Sequence, residues 1–166
     1  VAMSSECFEH NPHWRATLQN MIRMTRQGGL VAFSCATTGR PEHGTTRSDG
    51  GWAAPLAVQQ GQEYYQNVTA GQVRAAIDDD QVPSRFIVIN DRIFDLYFVG
   101  IKGEADVAGK RALAACRDEL NATYQAKDSY ASTSAFVNNR ARRYVARGVG
   151  DSALEAVRRR WGKVVP

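Results

Sequence analysis

Apolar residues along this chain recur in two periods, short continuous runs and helical spacing, and the two alternate as they do in α/β proteins. The first residues, to Ser5, read as the tail of a buried strand. Trp14, Leu18, Met21, Ile22 and Thr25 then fall on one face of a helix. Asn11 is suited to accept a backbone N–H as its N-cap, and Pro12 fits the first helical position, where no donor is needed. Gly28 is placed to stop the helix in a left-handed conformation. Leu30 to Ala36 is nearly continuous in apolar residues, the pattern of a parallel strand covered on both faces. Thr69 and Gln72 form a capping box in front of a second helix, with Val73, Ala76 and Ile77 on its apolar side. Phe86–Ile89 and Ile93–Ile101 read as two strands joined by Asn90-Asp91-Arg92. Strands are thus expected near 1–6, 30–36, 86–90 and 93–102.

After Gly103 the pattern becomes helical to the end. Leu113, Cys116, Leu120 and Tyr124 share one face; Phe136, Val137, Tyr144 and Val145 suggest a second helix. A third has Leu154, Val157 and Trp161 inward, capped by Asp151 or Ser152. The chain therefore divides into a sheet region, 1–103, and a helical extension, 104–166.

The chemistry gathers at strand ends. Glu6-Cys7-Phe8-Glu9-His10 leaves the first strand at its carboxyl end, where open α/β sheets bind ligands. Two carboxylates and an imidazole are ordinary cation ligands. Capping and local hydrogen bonding by Glu9 and His10 explain them with less, and no metal is assigned. A long polar loop, Thr37 to Gln62, follows the second apolar run, and loops of that length are usually functional or mobile. Within it His43 is the first candidate for a general base, histidine being the side chain that exchanges protons near neutral pH. Arg40 is suited to grip an anionic group. His10 and His13 are rivals for the proton; Tyr64 and Tyr65 either line a pocket or pack on the sheet. Asp78-Asp79-Asp80 reads as a solvated acidic loop. The two Asn-x-Thr triplets at Asn67 and Asn121 read as coincidences.

In its order of features the chain resembles the C-terminal half of class I S-adenosylmethionine-dependent methyltransferases. Glu9-His10 matches the pair that often closes the fourth strand of that family. Gln27-Gly28-Gly29-Leu30 matches the turn into the fifth, and the late strand pair matches its ending. The resemblance runs from Val1 to about Lys102. It implies an α/β, Rossmann-like sheet in the order four, five, seven, six, with only the last strand antiparallel. It implies S-adenosylmethionine as cofactor, touched by Ser5, Glu6 and Phe8. The acceptor, a small molecule or sugar methylated on O, N or C, would meet His10, Arg40, Tyr64 and Tyr65, with His43 catalytic. The family's glycine-rich cofactor turn is missing: no Gly-x-Gly-x-x-Gly occurs, and Gly148-Val149-Gly150 follows no strand. The resemblance therefore implies a part of a longer enzyme. By itself the chain is expected to be inactive, to bind cofactor negligibly and to expose its first strand as a bare, association-prone edge. Packing on an N-terminal half, or a homodimer, would cover that edge.

Composition adds less. The 166 residues carry a net charge of +4 and include 43% hydrophobic residues, with no apolar run near the length of a membrane span. No basic, then apolar, leader is seen. Cys7, Cys35 and Cys116 are odd in number and lack metal-site spacing, which reads as reduced thiols in a cytoplasmic protein. Arg140, Arg142, Arg143, Arg147, Arg158, Arg159, Arg160 and Lys163 make the tail basic, with only Tyr144 and Trp161 among them as aromatics. A solvated or partner-packing face explains this better than a nucleic-acid surface. The competing function is a non-enzymatic interaction module whose basic tail binds nucleic acid.

Overall fold

The computed structural model describes residues 1–49, 60–61 and 63–125. The helices expected around 136–145 and 151–161, the basic tail, residues 148–150 and most of the second half of the long loop lie outside the described residues.

In chain order the elements are β1 (Ala2–Ser5), a 3-10 turn (Phe8–His10), α1 (Trp14–Met24), β2 (Leu30–Ala36) and the single helical turn α2 (Thr46–Asp49). They continue with α3 (Ala70–Ala75), β3 (Ser84–Asn90), β4 (Asp95–Ile101) and α4 (Val107–Gln125). The strands form one mixed sheet in the order β1-β2-β4-β3. β1 runs parallel to β2, with Ser4 beside Phe33. β4 runs antiparallel to both neighbours, Phe98 lying between Phe33 and Ile87. The last strand is thus inserted inside the sheet and is the antiparallel one, in the expected order and direction.

The turn between β3 and β4 is longer than expected. Asn90 Oδ1 accepts from the Arg92 N–H at 3.0 Å and Asn90 O from the Phe94 N–H at 2.9 Å. This side-chain-supported turn occupies residues 91–94 and holds Phe94 at φ 59°, so Ile93 lies outside the strand, 45% exposed. The apolar Ile93-Phe94 pair looks like strand in sequence, but Phe94 is buried as a turn residue.

Helix α1 buries the predicted face: Trp14, Leu18, Met21, Ile22 and Thr25 are all buried. Its ends differ from expectation. Asn11 does accept a backbone N–H, from His13 at 2.8 Å, and donates to Thr17 Oγ1 at 2.8 Å. The intervening Pro12 and His13 form a turn, and the helix begins at Trp14. At the other end the chain leaves the helix at Thr25, which is extended. Gly28, at φ 71°, serves instead the turn into β2 and donates its N–H to Lys102 O at 2.8 Å. The Thr69–Gln72 capping box at α3 is present in both directions.

The core lies on one face of the sheet. Phe8, Trp14, Leu18 and Ile22 meet Val31, Phe33 and Cys35 of β2, Leu96 and Phe98 of β4, and Val68, Val73, Ile77 and Val82 from the β2–β3 connection. Phe33 and Phe98 stack at 5.0 Å between ring centroids, and Phe33 also meets Phe8 at 4.6 Å. On the opposite face α4 packs against β3 and β4, with Tyr124 stacked on Tyr97 at 5.1 Å. Leu30, Ala32 and Ser34 are half-buried there. Strand β2 is therefore sealed on one face and not, as expected, on both. β1 is one edge of the sheet and β3 the other, and Met3 on β1 is 74% exposed. In the acidic loop Asp79 pairs with Arg85, whose guanidinium also donates to Val82 O at 2.6 Å.

Candidate functional site

The polar residues of interest meet at the carboxyl ends of β1 and β2. β1 stops at Ser5 because Glu6 takes a left-handed conformation, φ 48°, uncommon for a residue with a β-carbon. The Glu6 N–H donates to Ser34 O at 3.0 Å, and its carboxylate accepts from Ser34 Oγ at 2.8 Å. Ser5 Oγ shares a 3.1 Å hydrogen bond with the same hydroxyl. The reversal at Glu6 sends the chain into the 3-10 turn. Phe8 goes into the core against Phe33 and Trp14 and presents nothing to a ligand.

Glu9 follows it inward. Its side chain is wholly buried, and Oε1 accepts from the Ala36 N–H, at the end of β2, at 3.2 Å. Oε2 has no hydrogen-bond partner among the described residues. Buried carboxylate oxygens are normally satisfied, so this atom calls for an explanation.

The loop after β2 lies over this carboxylate. Thr37 N–H donates to Phe94 O at 2.8 Å. The Arg40 guanidinium donates to Ile93 O at 2.5 Å and to Asp95 Oδ1 at 3.0 Å. Asn67, also buried, donates to Arg40 O at 2.9 Å and accepts from Tyr65 OH at 2.9 Å. Tyr65 OH also reaches Pro41 O, at 3.2 Å. These bonds hold the loop so that His43 Nδ1 lies 3.1 Å from Pro41 O. A carbonyl only accepts, so Nδ1 carries the hydrogen, and in the neutral ring the lone pair is on Nε2. That atom lies 4.0 Å from Glu9 Oε1. The rings of His10, His43 and Tyr65 meet edge to face, with centroids 5.0–5.4 Å apart. Gly44, at φ 66°, passes so near His10 that an added Cβ would lie 3.0 Å from its Cε1. Further out, Glu42 holds Arg47 and the Thr45 hydroxyl, and Thr46 is tied to Glu63 across the loop.

Burial dominates the electrostatics. It pushes Glu9 up to about 7, with the negative charge of Glu6 adding to the effect and the Ala36 N–H opposing it. Burial and then Glu6 raise Asp95 to about 6, against the pull of Arg40 and His43. Burial, then His43, lowers His10 below the ordinary imidazole value, while a backbone bond to Tyr64 works the other way. Burial pushes the Cys35 thiol up strongly, helped by Glu9, Glu6 and Asp95, so it is no nucleophile. All three cysteines are free.

Of the residues singled out in the sequence, His10, His43 and Tyr65 come together. Arg40 is engaged with Ile93 O and Asp95, and Tyr64 donates to Gln66 Oε1 at 2.5 Å. Ser5 and Glu6 flank the cluster through Ser34. In the sequence Glu9 reads as a local cap and Asn67 as a coincidental Asn-x-Thr triplet, and Asp95 carries no signal of a site. The only hint was position: Glu9 follows a buried aromatic, and Asp95 opens a strand. Among the described residues no helix is long and apolar enough to cross a membrane. Compared with known protein families, curated proteins and solved structures, the chain finds no match.

Proposed function

We propose that this chain is the acceptor-side part of an S-adenosylmethionine-dependent methyltransferase acting on a small molecule or sugar. The observation that carries the reading is the sheet order β1-β2-β4-β3, with the last strand inserted antiparallel beside β2. The polar cluster at the carboxyl ends of the two parallel strands supports it, since ligands of open α/β sheets bind there. The glycine-rich turn that grips the cofactor would come from residues outside this chain.

The reaction would be an in-line displacement. S-adenosylmethionine, once bound, would supply a methyl group on a sulfonium for in-line transfer to a lone pair of the acceptor, the carbon–sulfur electrons staying on the departing thioether. For an acceptor hydroxyl, the proton leaves to His43 Nε2, whose lone pair is free because Nδ1 donates to Pro41 O. Alignment and electrostatics supply most of such a rate enhancement, and few dedicated groups are needed. Ser5 and Glu6, where β1 ends, lie on the cofactor side of this arrangement; His10 and Tyr65 line the acceptor side.

Cofactor binding tests the reading. The longer polypeptide it requires, with a glycine-rich strand–turn–helix ahead of β1, should bind S-adenosylmethionine in calorimetry, and this chain alone should not. Tight binding by the lone chain would refute the division of labour; no binding by the longer one would refute the cofactor.

A further inference from the structure

We propose that Glu9, His10 and His43 form a binding site for one first-row divalent cation of the zinc type. One donor atom from each residue can be chosen so that all three lie within 4.8 Å of one another. Zinc bonds of about 2.0–2.2 Å put neighbouring donors roughly 3.3 Å apart, so the three must close by about 1–1.5 Å. His10 and His43 are only half-buried, so their side chains have room to make that movement.

An independent observation points to a ligand. Glu9 is 0% exposed, and its Oε2 has no hydrogen-bond partner among the described residues. A cation would satisfy that carboxylate and draw in the imidazoles. The outer shell is already of the kind that metal sites use. His43 Nδ1 donates to Pro41 O, which in the neutral ring leaves Nε2 to ligate, and Tyr65 OH, which donates to Asn67 Oδ1, lies 3.2 Å from the same carbonyl. The Ala36 N–H orients the carboxylate. Gly44 keeps the loop against His10 where a side chain would push the ring away.

The donor set selects the ion. Two imidazoles and one carboxylate suit zinc and its first-row neighbours, whereas magnesium and calcium prefer oxygen ligands. Three protein ligands leave a coordination position open, as in catalytic rather than closed structural sites. Binding of the ion does not depend on the proposed methyl transfer. The use of the open position rests on that reading: an acceptor oxygen would bind as the fourth ligand, and with His43 Nε2 on the ion its proton would be loosened by the ion, in place of direct uptake by the metal-free imidazole.

Cobalt(II) is the probe, because its visible absorption reports both binding and coordination by nitrogen and oxygen. The chain, stripped with chelator, should take up one equivalent of cobalt with a new visible band. Zinc should displace it stoichiometrically, and a large excess of magnesium should not. His43→Ala and His10→Ala should each weaken binding more than about tenfold, while His13→Ala and Cys7→Ser should leave it unchanged. Far-UV circular dichroism checks that each variant is folded, and His43→Ala, at a half-buried loop residue, is the decisive one. No cobalt uptake, uptake untouched by a folded His43→Ala, or displacement by magnesium at concentrations comparable to zinc would each overturn the proposal. Failure of the methyltransferase reading would leave the cobalt titration as it is and remove only the acceptor's place on the metal.

Discussion

The two ends of the β1–β2 pair are built on opposite terms. At the amino end of β2 the polar groups are satisfied. Gly28 N–H donates to Lys102 O and Lys102 N–H to Gly29 O, at 2.8 and 2.9 Å. The Lys102 ammonium donates to the carbonyls of Arg23 and Thr25, where α1 ends, at 3.1 and 2.8 Å. A cation at a helix C-terminus is where the helix dipole favours it. At the carboxyl end, Glu6 and Phe94 are held in left-handed conformations, Glu9 has an oxygen without a partner among the described residues, and Glu9 and Asp95 are buried carboxyls displaced from their usual ionisation. The amino end is paired within the fold. The carboxyl end carries left-handed backbone and buried carboxyls, features that cluster at ligand sites and on which the proposals above are built.

Breaking the carboxyl end at His43 should have the largest effect. In the longer polypeptide His43→Ala should lower methyl-transfer turnover ~10²–10⁴-fold, the usual scale for losing general-base catalysis, whether Nε2 takes the acceptor proton itself or holds the ion that loosens it. Cofactor affinity and melting temperature should hardly change. A variant that turns over like the parent would reduce the Arg40–Thr45 loop to a connector.

Next in size is the pH dependence of Asp95. Its folded value of about 6 lies above the ordinary 3.8, so the folded state holds the proton more tightly. Its contribution to stability is therefore full below about pH 4, falls as pH rises through 6, and is gone above it. At about 1.4 kcal/mol per unit the loss is about 3 kcal/mol. Asp95→Asn removes that loss, so the variant should gain on the parent between pH 4 and 7 in denaturant titrations. Parallel curves for the two would contradict the burial argument. Lys102→Met at the opposite end removes two hydrogen bonds to carbonyls, and should cost about 1–3 kcal/mol with no such pH trend.

A matched pair of glycines sharpens the contrast. Gly28 and Gly44 have nearly the same φ, 71° and 66°, so alanine at either should cost about 1–2 kcal/mol of backbone strain. Only at Gly44 would the new Cβ meet a proposed ligand, His10; at Gly28 nothing among the described residues lies within 4 Å. Gly44→Ala should therefore also weaken cobalt binding, and Gly28→Ala should not. Equal affinities would mean that the loop's approach to His10 is unimportant.

What could be read from the sequence were the features encoded locally. The α1 stripe from Trp14 to Thr25 and the Thr69–Gln72 capping box follow from periodicity and spacing alone. The order of the strands came through the resemblance, on Glu9-His10 and the Gly28-Gly29 turn, and the sheet agrees with it. The length of the 91–94 turn was hidden because an apolar Ile93-Phe94 pair mimics strand. The site was only half visible. His10, His43 and Tyr65 were each singled out, but their meeting depends on the Asn67–Arg40 and Tyr65–Pro41 bonds, which span 27 and 24 residues. The burial of Glu9 depends on Ala36, 27 residues away, and no local pattern announces it.

The central claim, that the carboxyl end of this sheet receives a methyl acceptor, is tested most directly by transfer of an isotopically labelled methyl group. The longer polypeptide, given S-adenosylmethionine labelled on its methyl and a panel of hydroxylated small molecules, amines and sugars, should pass the label to at least one acceptor and release S-adenosylhomocysteine in equal amount, and His43→Ala should suppress both. A polypeptide that binds the cofactor yet labels none of these acceptors, or whose labelling is indifferent to His43, would contradict it.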